Sequence, residues 1–67
     1  MNFYKLALRM VENGHNMKTL AGTVGMTQSE LIEELCQGRH MKVSVATKIK
    51  NALWLTSEET KAIFFPA

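Results

Sequence analysis

The chain has 67 residues, a formal net charge of +2 and one cysteine. That length suits a single domain, residues 1–67, and the lone cysteine excludes an internal disulfide and suits a reducing cytoplasm. Lys5 and Arg9 interrupt the opening apolar run, so neither an uninterrupted leader core nor a membrane span is expected there.

In chain order, the first helix is expected over about residues 2–13. Phe3, Leu6, Ala7, Met10 and Val11 form its inner face, Lys5, Arg9 and Glu12 lie opposite, and Asn13-Gly14 stops it. Asn16 caps a second helix over about 17–24, whose stripe is Met17, Leu20, Ala21 and Val24. Gly25 carries the chain out in a left-handed conformation. Thr27 and Glu30 then form a capping box that opens a third helix over about 28–37, with Gly38 as its stop. Ser44 is expected to cap a fourth helix over about 44–53, with Val45, Ile49, Ala52 and Leu53 inward. The β-branched residues between Val43 and Thr47 leave a strand open as the alternative, but capping and spacing favour helix. Thr56 and Glu59 make another capping box and open a last helix over about 57–64, carrying Ala62, Ile63 and Phe64, before Pro66 ends regular structure. The caps at both ends read as one complete all-α domain with no repeat, linker or low-complexity tract. A chain this small buries only about 60% of its unfolded surface, so a partner subunit would add stability.

Two short helices joined by a tight glycine turn, as in Asn16 to Arg39, follow the plan of a helix-turn-helix, whose second helix enters the DNA major groove. Charge is unevenly spread. No acid occurs from Leu35 to Ser57, a gap that holds Arg39, His40, Lys42, Lys48 and Lys50. A basic stretch just after a recognition helix is well placed for phosphates. Taken alone it is more simply a solvated face.

Other chemistry-bearing residues have plain structural readings. Cys36 and His40 are separated by the helix-breaking Gly38, His15 is distant, and no set of metal ligands emerges, so no metal is expected. Cys36 is expected in or near the core, because no base accompanies it as a nucleophile would require. The glutamates of the third helix do not suggest catalysis in a domain too small for a substrate cleft, and no enzyme activity or cofactor is expected. The five methionines are core filler and loop apolar residues. Trp54 is expected to plug the core beside Leu55, with an exposed interface anchor as the alternative. Phe64 and Phe65 cannot both face inward from one short helix. One is expected to cover the first helix near Phe3, and the other to meet a second copy of the chain.

The segment Leu20-Ala21-x-x-x-Gly25-Met26-Thr27 resembles the signature of small Cro-like and repressor-like helix-turn-helix regulators of temperate phages and prophages, the lambda-repressor-like fold. The tail Lys48-Ile49-Lys50-Asn51-Ala52-Leu53, Leu55-Thr56-x-Glu58-Glu59 and Ile63-Phe64-Phe65 is similar to the ending of short phage regulators from Gram-positive hosts. The resemblance implies a compact five-helix DNA-binding domain in which helices 2 and 3 form the helix-turn-helix. Ala21 would be small where those helices cross, and Met26 and Leu31 would hold them from inside. It further implies that Gln28, Ser29, Ile32 and Glu33 read bases. Gln28 would pair with adenine, Ser29 with almost any base and Glu33 with cytosine, while Ile32 would touch a thymine methyl. Asn16, Met17, Lys18, Thr27, Arg39, His40 and Lys42 would meet phosphates. The partners implied are double-stranded operator DNA and a second copy, with Trp54, Phe64 and Phe65 as candidate dimer contacts, and with no membrane or small-molecule ligand. The setting implied is the cytoplasm of a bacterial host. An alternative from another class is a protein-binding, antirepressor-type module that uses the acidic third helix, with Glu30, Glu33 and Glu34 in its favour.

Overall fold

The computed structural model describes residues 1–66 and, of Arg39, the backbone alone. Among the described residues there are five α-helices and no strand: α1 (Phe3–Glu12), α2 (Met17–Thr23), α3 (Gln28–Cys36), α4 (Val43–Ala52) and α5 (Ser57–Phe64). A short 3-10 turn, Gly38–His40, follows α3. The open alternative between Val43 and Thr47 is therefore settled as helix.

Each helix gives the core one or more side chains. Leu20 from α2, Leu31 from α3, Ile49 from α4 and Phe64 from α5 are fully buried, and Leu6 and Met10 represent α1. Burying an aliphatic or aromatic side chain of this size stabilises the fold by about 1.5–3 kcal/mol. Met41, Leu53 and Leu55, all between helices, close the core around them. Helix α2 packs on α3 and α4, and α5 packs on both α4 and α1. The last contact ties the chain's beginning to its end. The Asn2 N–H donates to the Ile63 carbonyl at 2.7 Å, and Arg9 Nε donates to Glu59 Oε2 at 2.8 Å. Helices α1 and α5 thus run antiparallel along one seam.

Local chemistry sets the helix starts. Asn2 caps α1 by accepting from the Lys5 N–H, and Asn16, Thr27 and Thr56 each take part in a reciprocal capping box. The expected start of α4 is corrected. Ser44 lies inside the helix, and the cap position belongs to Lys42, whose side chain makes no capping bond. The cause lies in α3: Glu34 Oε1 accepts from the Lys42 N–H at 2.8 Å and holds the chain there, so the helix begins at Val43.

Three helices end in the same way. Beyond α1, α2 and α4, a backbone N–H reaches back across the last turn: His15 to the Met10 carbonyl (2.8 Å), Met26 to Ala21 (2.9 Å) and Leu55 to Lys50 (2.9 Å). This closure needs one residue at positive φ. Gly14 (φ 70°) and Gly25 (φ 75°) fill that place after α1 and α2; after α4 it is Trp54, at φ 56°.

Trp54 also corrects the expected core plug. It is 85% exposed, while Leu55 beside it is buried. The inner face of α1 is narrower than expected, because only Leu6 and Met10 are buried and Phe3, Ala7 and Val11 face water. Cys36 is exposed rather than part of the core. Phe64 is fully buried and Phe65 half-buried against the core, their ring centroids 6.5 Å apart. Of the three aromatics expected at an interface, only Trp54 and Phe65 present surface.

Candidate nucleic-acid interface

Helices α2 and α3 are joined by Val24-Gly25-Met26-Thr27 and held together by Leu20, Ala21, Val24, Leu31 and Leu35, all buried. Ala21, on α2, is 1% exposed and belongs to the shared core. An added Cβ on Gly25 would meet nothing within 4 Å, which makes its left-handed backbone, not space, the reason for glycine there.

Gln28, Ser29, Ile32 and Glu33 are all exposed on α3. Gln28 and Ser29 stand in its first turn, directly after the Thr27 cap. Ile32 and Glu33 follow one turn later, so the four residues share one side of the helix. At the opening, the Thr27 N–H donates to Glu30 Oε1 (2.9 Å) and the Glu30 N–H donates to Thr27 Oγ1 (3.1 Å).

The acidity of α3 looks different once its partners are known. Glu30 is occupied by the cap, and its carboxyl is held below its ordinary value chiefly by the Thr27 backbone N–H. Glu34 is half-buried and takes the Lys42 N–H. Glu33 is the one α3 carboxylate without a hydrogen bond or ion pair among the described residues. Sequence reading missed the Glu34–Lys42 clip, because it spans eight positions across a turn and leaves no local pattern. Its effect is to set Lys42, whose side chain is exposed, beside the C-terminal part of α3.

At the start of α2, Asn16 Oδ1 accepts from the Thr19 N–H and Thr19 Oγ1 accepts from the Asn16 N–H, both at 2.9 Å. Thr19 was not singled out in the sequence, although a hydroxyl three residues after an N-cap asparagine is a readable signal. His15 Nδ1 lies 3.1 Å from the same Thr19 hydroxyl. Met17 is half-buried against the core, which leaves its backbone amide as what it can offer a ligand. Lys18 and His40 are exposed, and the side chain of Arg39 lies outside the described residues. Among the described residues, no three metal-ligating side chains cluster, and no helix is long and apolar enough to cross a membrane.

The arrangement offers a polar surface with one free carboxylate, one free amide side chain and two hydroxyls; Lys42 is exposed beside the end of α3 and Lys18 is exposed in the first turn of α2. Such a set can donate to and accept from nucleobase edges and phosphate oxygens. Comparison with known protein families, curated proteins and solved structures finds no match to this chain.

Proposed function

We propose that the chain is a sequence-specific double-stranded DNA-binding regulator of the Cro-like, lambda-repressor-like kind, with α2 and α3 as its helix-turn-helix. The observation that carries the reading is the side of α3 described above. A short helix, rigidly joined to α2 through a positive-φ glycine, exposes Gln28, Ser29, Ile32 and Glu33 together while its two other glutamates are engaged elsewhere. In this reading α3 lies in the major groove. Gln28 reads adenine, Ser29 adapts to its base, Ile32 meets a thymine methyl and Glu33 accepts from cytosine N4. The Thr27 hydroxyl, the amides at the start of α2, and Lys18, Arg39, His40 and Lys42 position the domain on phosphates. Regulation is by occupancy: two copies sit on half-sites about 34–36 Å apart and obstruct or redirect polymerase in a bacterial cytoplasm.

Selection from a pool of random-sequence duplexes tests this without knowledge of the operator. The expected result is an enriched, two-fold related motif whose binding weakens steeply with salt. Glu33→Gln should shift the preferred base at one position by about tenfold or more, whereas Lys42→Ala should weaken all sequences alike and lower the salt slope by about 1. A pool that stays random, with no retention even at low salt, overturns the proposal. Capture of a repressor protein by α3, lost in Glu33→Gln, would replace it with the acidic-helix, antirepressor reading.

A further inference from the structure

We infer that Trp54 is a self-association anchor: it docks in the groove between α1 and α5 of a second copy of this chain, and that copy's Trp54 docks in return. The first observation is the contrast among helix ends. The same backbone closure follows α1, α2 and α4, yet the left-handed position is glycine in the first two and tryptophan in the third. A side chain disfavours that backbone, and at 85% exposure Trp54 has almost no packing within its own chain to offset it. A contact beyond the chain that buries the indole would offset that cost.

The second observation is a hollow of matching scale. A groove of about 290 Å³ runs along the α1–α5 seam; Tyr4, Leu8, Ala62 and Ile63 give it apolar walls, Asn2 and Lys5 also line it, and the Arg9–Glu59 ion pair lies at one end. Apolar walls suit an indole ring. Arg9 can face its π surface, and the Glu59 carboxylate can accept its N–H. At about 290 Å³ the groove has room for an indole ring.

The third observation is position and area. The Asn13 side chain donates to the Leu53 carbonyl at 3.2 Å, which brings the residue next to Trp54 against the end of α1, one turn beyond Arg9. The α1–α5 seam therefore leads from the groove toward the α4–α5 turn. A two-fold axis across the seam would make the contact reciprocal, as a closed, isologous interface requires. Tyr4 and Leu8 belong both to the groove and to an outward stripe of α1 that continues through Phe3 and Val11, all exposed. With Trp54 these side chains offer roughly 600 Å² of apolar surface per copy, close to the roughly 800 Å² that each partner gives to a standard stable interface.

Association is measured without DNA, so its outcome is independent of the DNA-binding reading. Trp54 is the only tryptophan, and its fluorescence reports its surroundings alone. Sedimentation across a concentration series should show a monomer–dimer equilibrium, with Trp54 emission moving to shorter wavelength as dimer forms. Trp54→Gly should weaken the dimer about 30-fold or more while the diluted monomer melts at an equal or higher temperature. Leu8→Glu, at a half-exposed position, should weaken it similarly from the opposite side. In that variant Trp54 should keep the emission of a water-exposed indole at concentrations where the wild type is dimeric. A chain that stays monomeric at millimolar concentration overturns the inference. So does a dimer that Trp54→Gly and Leu8→Glu leave intact, or a Trp54 that becomes shielded only when DNA or another protein is added.

Discussion

Around α2 and α3 the outward-facing residues are mostly polar and the helix starts are reciprocally capped, whereas along α1 and at the α4–α5 turn the outward-facing residues include Phe3, Tyr4, Leu8, Val11 and Trp54. Both regions rest on one core, so the difference is not about stability. A polar, shape-fixed surface suits a ligand read by hydrogen bonds. An apolar surface in so small a domain suits a partner that removes it from water. The division predicts where substitutions should be costly, neutral or even favourable.

The largest effect belongs to the shared core. Leu20→Ala should cost about 3 kcal/mol, a large part of the stability of a domain this size, and chemical denaturation would show the midpoint collapse. Val11→Ser, on the apolar face of α1, should change stability by less than about 0.5 kcal/mol in the monomer, although sequence periodicity gives both residues the same inward role. Equal costs would mean that the α1 stripe is packed and that the contrast between the regions is false.

A pair of opposite sign comes next. Gly25→Ala should destabilise by about 1 kcal/mol through backbone strain alone, because the added methyl has open space. Trp54→Gly, at the equivalent place after α4, should stabilise the isolated monomer by up to about 1 kcal/mol. Thermal melts of the two variants at low concentration check the signs. Destabilisation in both would indicate that Trp54 packs within its own chain.

Caps give a smaller and more even effect. Thr27→Ala and Thr56→Ala should each cost about 1 kcal/mol by leaving a helix-start N–H unpaired. What separates them is the Glu59 carboxylate, which also accepts from Arg9 and so ties α5 to α1, while Glu30 serves only its own helix. Both carboxyls are held below their ordinary value, Glu59 first by the Thr56 backbone N–H and then by Arg9, Glu30 by Thr27. A depressed carboxyl stabilises the fold at neutral pH and loses that contribution as pH falls through the ordinary carboxylate range and below. Melting temperature should therefore drop on acidification from about pH 6 to about pH 3, and Glu59→Gln and Glu30→Gln should each flatten the drop. An unchanged pH profile in both variants would remove the capping carboxylates from the account.

Much of this fold was readable because its signals are local. The boxes at Thr27 and Thr56 and the turn at Gly25 need only three or four neighbouring residues, and the structure places each where the spacing does. The α1 face was not readable in the same way. Phe3, Ala7 and Val11 make one stripe, Leu6 and Met10 another, and only the long-range partner chosen through Asn2–Ile63 and Arg9–Glu59 decides between them. The start of α4 was misplaced for a related reason, since the Glu34–Lys42 bond that fixes it has no sequence period. Trp54 shows a third limit. Its size and hydrophobicity argue for burial, but the backbone closure after α4 places it at a helix end, outside the core. Gln28, Ser29, Ile32 and Glu33 are exposed on α3, but their base-reading role comes from the resemblance alone, because no local spacing signals it.

The most direct test of the division is amide and indole chemical-shift mapping of the labelled protein, at a fixed concentration, as a selected duplex is titrated in. Shifts should concentrate at Met17, Lys18 and the run from Thr27 to Glu33, with smaller ones near Lys42. The amides along α1 and the Trp54 indole should move no more than a change in dimer population produces. Shifts centred on Phe3 to Val11 and Trp54, with α3 silent, would contradict it and place the ligand on the apolar face instead.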